Sequence, residues 1–488
     1  MKTGNDYEKS ISGLAGEVYL LGERVTDPVN HPMLRPSFNA LEMTYRMAEN
    51  SSADELMHAQ SAFDSSEVNL FCSIHTSTED LIRKVKALRL LGQTTGTCFQ
   101  RCVGWDALNA ISSVSFEIDQ AHGTNYHRRF LEYLKYVQEN DLVLNGSMTD
   151  VKGDRSKRPS EQADPDMFVH VVEQQSDGII VRGAKAHQTG AVFSHEIVVM
   201  PTLSLRPEDE NYAISFAIPI NTPGIIHIIG RQPSDTRKLE GVQIDLGNST
   251  FGGHEALLIF DDVFVPWERV FMCGEYEFAG LLVERFAGYH RQSYGGCKAG
   301  VGDVLIGAVA TAVEYSGVAN AGHIKHKLAE MLHLNETLFA CGIACSYMGK
   351  PTTSGTYLVD LLLANVCKQN VTRFPYEIAR LAEDMAGGMM VTMPSESDLR
   401  NPLLRPYIEK YLHGVEDVDT VDRMRILRLI ESMTSGTGAV AYRTESMHGA
   451  GSPEAQVIMI GRLSDLNYKK ELAKKIAGVG SRVVEDIR

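Results

Sequence analysis

No apolar run in this chain reaches the roughly 18–20 residues that a membrane-crossing helix needs. The opening residues, Met1-Lys2-Thr3-Gly4-Asn5-Asp6-Tyr7-Glu8, contain none of the apolar core that marks a secretory leader. Positive charge is in short supply too: 47 Lys and Arg face 62 Asp and Glu, a formal net charge of −15. That balance argues against nucleic acid or an anionic membrane surface as a general partner, although local basic groups can still bind an anionic substrate. No G-x-G-x-x-G follows a predicted strand, so a Rossmann dinucleotide site is not expected. Repeats and low-complexity stretches are missing as well. Eight cysteines are present, at 72, 98, 102, 273, 297, 341, 345 and 367, but no C-x-x-C pair. Without an export signal they are not expected to form a disulfide framework, and the chain is expected to be cytoplasmic.

What is present describes a globular protein. Hydrophobic content of 43% and charged content of 22% are ordinary for one, and 488 residues suffice for two or three domains with sizeable cores. Residues 1–144 read as helical, with apolar positions at helical spacing in Asp80–Leu91 and Phe130–Val137. From 145 to 275 the period changes to two. Met167–Val172, a Ser176-Asp177-Gly178 turn and Ile179–Lys185 read as a hairpin, followed by strands at Tyr212–Ile220, Gly224–Gly230 and Glu255–Phe260. This is expected to be an antiparallel β domain. From 276 to 488 helical stripes return, at Asp303–Tyr315, Lys325–Ala344, Leu358–Ala386 and Arg423–Ser432. The fold class expected is α+β, with a helical N-domain, a β middle domain and a helical C-domain.

The chemistry concentrates in Glu284–Lys298, where His290, Tyr294, Cys297 and Lys298 fall within nine residues beside Gly295-Gly296. On a helix His290 and Cys297 share a face two turns and roughly 10 Å apart. Either the glycines bend the chain or a cluster lies between the two side chains; the plainer alternative is an amphipathic helix with a buried His and a core Cys. Cys98-Phe99-Gln100-Arg101-Cys102 places two thiols at i and i+4, neighbours on a helix face and a fit for two corners of an iron–sulfur cube. Two core cysteines would fit equally. Cys341 and Cys345 share the spacing, but their apolar neighbours favour a core. Three thiols and an imidazole from these segments also suit a structural zinc. Gly183–Gly190 and the Met148–Ser156 loop offer polar groups to a cofactor, or are simply solvated turns. Glu255 alternates with Leu257 and Ile259; on an apolar face its pKa would be raised, and at an exposed strand end it would not. Glu445 and His448 are one helical turn apart, the spacing of a local hydrogen bond.

Four motifs carry a resemblance: Cys98–Cys102, Ala184–Gly190, His290–Lys298 and Tyr442–Gly449. Together with Tyr126-His127, Phe374-Pro375-Tyr376-Glu377 and Gly451-Ser452-Pro453, they make the chain resemble the 4-hydroxybutyryl-CoA dehydratase family over nearly its whole length. That family is similar in turn to 4-hydroxyphenylacetate 3-monooxygenase-like flavoproteins. The resemblance implies an acyl-CoA dehydrogenase-like fold, an acyl-CoA substrate, a homotetramer, FAD and a [4Fe-4S] cluster held by Cys98, Cys102, His290 and Cys297. It implies radical dehydration of 4-hydroxybutyryl-CoA to crotonyl-CoA, with isomerisation of vinylacetyl-CoA to the same product. Losing the C2 proton and one electron to flavin makes the C3 proton removable, and the His-bound iron acts on the departing C4 hydroxyl. His290 is then base as well as ligand, Glu255 and Tyr294 manage the other proton or the hydroxyl, and Glu445 and Lys298 support them. The implied flavin contacts are Gln100, Met148, Thr149, Asp154, Arg155, His187, Gln188 and Thr189, with Gly387 and Gly388 reaching a neighbouring subunit's flavin. Two other readings stay open: a flavin-dependent aromatic hydroxylase, and a non-catalytic or electron-transfer protein with a Cys₃His metal.

Overall fold

The computed structural model describes residues 1–14, 16–49 and 54–479. It is organised around one 40-residue helix, Tyr276–Tyr315, packed against Thr78–Thr95, Cys102–His122, Gly322–Tyr347 and Leu361–Val371. An 18-residue window of this central helix has mean hydropathy 1.4, which by length and composition would cross a membrane, yet 67% of the window is buried inside the protein. It is a core helix, and its apolarity is helix-packing surface. Of the two alternatives the His290–Cys297 spacing left open, a bend at Gly295-Gly296 is the one that does not occur, since the helix runs through both glycines. Both glycines sit at crossings: a Cβ on Gly296 would collide with the Val85 carbonyl oxygen, and one on Gly295 would lie 2.7 Å from Gly342 Cα.

The neighbouring helices carry ordinary end signals. Ser77 caps Thr78–Thr95 by accepting from the Asp80 N–H, and the helix stops at Gly96 with φ +61°. Cys102–His122 stops at Gly123 with φ +68°. The stripe read as one helix over Leu358–Ala386 is two, Leu361–Val371 and Phe374–Ala386. Pro375 explains the break, because it fits the first turn of a new helix and clashes inside an old one.

A six-stranded sheet runs in spatial order Glu23–Arg24, Glu17–Leu20, Ile225–Ile229, Glu255–Pro266, Gly178–Thr189, His170–Gln174. A four-stranded sheet holds Val270–Cys273, Ile214–Pro219, Glu196–Val199 and Leu144–Ser147. The hairpin and the later strands lie where the period-two pattern placed them. Two corrections follow. The first 144 residues are not all helical, since Glu17–Leu20 joins the larger sheet through Ile225–Ile229. The β region is not purely antiparallel either: that pairing and Leu144–Ser147 with Glu196–Val199 are parallel. A four-residue strand has too little alternation to be seen alone and exists here because a distant strand completes it.

Candidate active site

His290, Tyr294 and Lys298 follow one another at i+4 along the central helix, with Cys297 beside the last. Their position is set by backbone contact. The Thr78–Thr95 helix approaches so closely that a Cβ on Gly92 would stand 2.7 Å from the Cys297 carbonyl, and one on Gly300 would collide with that of Arg89. The loop leaving that helix carries Cys98. The expectation of Cys98 and Cys102 at i and i+4 on a helix is corrected here: Cys102 begins the Cys102–His122 helix and Cys98 lies in the loop before it. Gln100 turns that loop, with φ +66°. Its amide accepts from the Ser37 hydroxyl at 2.7 Å and donates to the carbonyls of Ser37 and Gly252 at 3.2 and 3.3 Å. Gln100 is thus occupied as the loop's anchor.

Around the imidazole the ligand-type atoms of Cys102, Asp106 and His290 lie within 4.8 Å of one another. Nδ1 of His290 is 2.8 Å from Asp106 Oδ2. The other Asp106 oxygen pairs with Lys84, and both of those side chains are wholly buried. Burial first, then nearby negative groups, hold the thiols above their ordinary range. Cys98 and Cys102 stand well above it, the first next facing Glu445 and the second Asp106. Cys297 is pushed up to about 11. Each thiol also feels the others. Two buried thiols and a half-buried one, near carboxylates, favour the neutral form until a metal cation arrives, which reverses the balance and deprotonates them. All eight cysteines are free, and the donor set fits a metal cluster. Cys345, by contrast, bonds the Gly342 carbonyl at 3.2 Å and belongs to the core.

Beside the loop that carries Cys98 lies a cleft open to solvent, about 570 Å³ with the solvent at its mouth included, lined among others by Thr97, Lys238, Asn248, Glu255, Thr437 and Glu445. Thr189 Oγ1 lies 2.7 and 2.9 Å from the two oxygens of Glu255. Desolvation, then the charge of Glu445, hold the Glu255 carboxyl well above the usual range. Glu445 follows a π-helical turn, Val440–Thr444, an irregularity common at functional sites. Its side chain meets Lys298 Nζ at 2.9 Å rather than His448, and Lys298 also donates to the Ala441 carbonyl. Burial opposes the Lys298 ammonium, but Glu445 and the thiols outweigh it and raise its pKa. Lys298 and Lys368 stand 5.1 and 5.0 Å from the Tyr294 ring centroid. The Tyr294 hydroxyl can approach because position 449 is glycine; a Cβ there would collide with it.

Two family models cover the chain: the N-terminal part of 4-hydroxyphenylacetate 3-hydroxylase matches residues 3–272 and its C-terminal part residues 279–478. The chain belongs to the 4-hydroxyphenylacetate 3-hydroxylase family. Among family members, the 4-hydroxybutyryl-CoA dehydratase/vinylacetyl-CoA-Δ-isomerase of Clostridium aminobutyricum is 56% identical, over 98% of this chain and 100% of that protein. The oxygenase component of 4-hydroxyphenylacetate 3-monooxygenase from Thermus thermophilus is 27% identical, over 90% of this chain and 89% of that one. An oxygen-tolerant archaeal 4-hydroxybutyryl-CoA dehydratase from N. maritimus superimposes with a TM-score of 0.96 at 56% identity, covering 99% of this chain and 96% of the other. The oxygenase component of a 4-hydroxyphenylacetate 3-monooxygenase complexed with FAD has the same fold, with a TM-score of 0.86 at 24% identity over 98% of both chains.

On this 4-hydroxyphenylacetate 3-hydroxylase family fold about half of the residues expected to contact flavin, Met148, Thr149, His187, Gln188 and Thr189, lie near one another. A bridge between Asp150 and Lys185 joins the Met148–Arg155 loop to the strand end at 185–189. Lys185 donates to the Met148 carbonyl at 2.9 Å, and Gln188 to that of Thr149 at 3.3 Å. Gln188 is buried, whereas His187, Asp154 and Arg155 are exposed. Gly387 and Gly388 are not brought to this group: they cap the end of Phe374–Ala386, exposed, with nothing within 4 Å of either Cβ position. Three site residues escaped the sequence reading: Asp106, Lys84 and Lys368. Asp106 had a signal, since it continues the Cys98, Cys102 spacing by four. The lysines had none, as each looks like one polar position in an amphipathic helix.

Proposed function

We propose that this protein dehydrates 4-hydroxybutyryl-CoA to crotonyl-CoA and isomerises vinylacetyl-CoA to the same product, holding FAD and a [4Fe-4S] cluster. The observation that carries the proposal is the convergence of Cys102 and His290, with Cys98 and Cys297 near enough to act electrostatically on Cys102 or on one another, beside the Glu255–Glu445 cleft. Identity of 56% along the full length to the Clostridium enzyme supports it. Cys98, Cys102, Cys297 and His290 would hold the cluster; Thr149, Asp154, Arg155, His187, Gln188 and Thr189, with Met148, would face FAD. When bound, these groups supply one-electron chemistry and a Lewis-acidic iron.

The chain's own residues manage protons and position. His290, with Nδ1 turned to Asp106, leaves the single Nε2 lone pair to hold the cluster, or to take a proton whenever it is not bound to iron. Burial and the charge of Glu445 favour the protonated form of Glu255, and Thr189 fixes the carboxyl that delivers or receives the proton. Lys298 orients Glu445, and Tyr294, whose hydroxyl donates to the Glu445 carbonyl at 3.4 Å, would serve the departing C4 oxygen. A single Gln100 contact to flavin would compete with its anchoring bonds.

The acyl-CoA dehydrogenase-like arrangement, with domains 1–144, 145–275 and 276–488, is part of the same proposal and is supported by the succession of helices, strands and helices. So is a homotetramer, with Gly387 and Gly388 facing a neighbour's flavin. Tyr468, Leu472 and Ile476 line one exposed face of Leu466–Ile476, which a second copy would cover. Eight free cysteines accord with a reducing, cytoplasmic compartment.

Anaerobic purification followed by iron, sulfide and flavin analysis tests the reading. It requires about four irons and one FAD per chain. FAD without iron would make the protein an aromatic hydroxylase and leave the thiols without a purpose. Zinc without FAD would rule out both enzymes.

A further inference from the structure

We infer that Asp106, backed by Lys84, is the positioning residue that fixes the tautomer and aim of His290. The inference rests on the reading of His290 as an iron ligand.

Nδ1 of His290 lies 2.8 Å from Asp106 Oδ2. A carboxylate only accepts, so the proton sits on Nδ1 and the Nε2 lone pair is left to point elsewhere. Histidine ligands commonly donate their second N–H in this way, which orients the ring and raises its basicity. The ring is also confined between Phe286, stacked at 5.7 Å and 19°, and Tyr294, edge-on at 5.1 Å and 75°.

Asp106 is close enough to Cys102 and His290 to be taken for a third ligand of one ion. Its partners decide otherwise. Oδ1 is held by Lys84, while Oδ2 takes His290 and, at 3.3 Å, the Ser293 hydroxyl. Lys84 in turn donates to the Tyr289 carbonyl at 3.1 Å and stands 5.4 Å from the rings of both Trp105 and Tyr289. The ammonium therefore anchors the carboxylate to the scaffold. A buried ion pair of this kind is commonly no more stabilising than apolar side chains of equal volume. Its use here is to hold an acceptor against one ring nitrogen, with the Ser293 hydroxyl farther from the same oxygen than the imidazole is.

The experiment compares wild type, Asp106→Asn and the double variant Lys84→Met/Asp106→Asn, purified anaerobically with FAD. The double variant removes the ammonium that Asp106→Asn alone would strand, so one folded form is available in either case. FAD content and melting temperature report the fold; release of iron to a chelator reports the ligand. Release should be about 10–100-fold faster in the variants, the usual cost of losing such a partner, and Asp106→Glu should recover part of it. An unchanged release rate in an FAD-loaded variant overturns the inference while leaving the cluster in place. Wild type without iron would instead bring down the functional reading, and this inference with it.

Discussion

A carboxyl group set where Glu255 is, desolvated and facing Glu445, keeps its proton to higher pH in the folded chain than in the unfolded one. Its contribution to stability is complete below the unfolded value of about 4.3 and declines as pH rises. Glu255→Gln, which never ionises, should therefore melt at increasingly higher temperature than wild type as pH climbs from about 4 to 8. The same variant should lose about 10²–10⁴-fold in turnover with FAD and iron retained; full turnover would remove Glu255 from proton transfer. Lys368 works in the opposite sense. Burial, then Lys298 and Arg291, lower it to about 7. Between pH 7 and the unfolded value of about 10.4 the unfolded chain binds more protons, so wild-type stability should rise with pH there, by at most about 1.4 kcal/mol per unit. In Lys368→Met that component is gone, and urea unfolding at pH 7 and 9.5 should show the wild-type advantage growing between them. Residues like Lys368 mark the limit of reading a sequence. His290, Cys297 and Cys98 announce themselves by residue type and local spacing. Lys368 becomes special only because Ser446, whose carbonyl it meets at 2.6 Å, and Tyr294 arrive from distant segments.

At the scale of elements, the site depends on how closely two helices can lie. Gly296 and Gly300 face the carbonyls of Val85 and Arg89 with no room for a methyl group, whereas Gly307, farther along the same helix, has open space. Gly296→Ala should cost about 1–3 kcal/mol by overpacking and shift Cys297 from Cys98, with loss of iron. Gly307→Ala should instead gain up to about 1 kcal/mol from helix propensity. Thermal melts and iron content of the two variants separate a packing requirement from a general intolerance of alanine. The Gly-Gly pair was visible in the sequence, but two meanings were possible, a bend or a close approach, and only the neighbouring helix chooses between them. The same holds for Cys98. A C-x-x-x-C pair reads as one helical turn until Gly96 and Gln100, both at positive φ, place the first cysteine in a loop. Long periodic segments, such as the hairpin ending at Thr189, depend on their own pattern and were legible; Glu17–Leu20 depends on a strand more than 200 residues away and was not.

For the molecule as a whole, the remaining apolar surface is the argument for assembly. Tyr468, Leu472 and Ile476 are 61%, 46% and 89% exposed, at i, i+4 and i+8 on a helix that otherwise carries five lysine and glutamate-type polar positions' worth of solvated face. An amphipathic helix with its apolar stripe outward is unstable in isolation unless another surface covers it. If that surface belongs to a second copy, Leu472→Glu/Ile476→Glu should shift the sedimentation profile from the proposed tetramer to smaller species without loss of helical circular dichroism. The site predicts a further consequence. Cys98, Cys102, Cys297, His290, Glu255 and Glu445 all come from one chain, so cluster and proton-transfer groups should survive dissociation. If flavin also rests on a neighbour near Gly387 and Gly388, the dissociated variant should keep its iron and release FAD. Loss of both together would mean that the subunit interface supports the cluster as well, and retention of both would place the flavin wholly within one chain.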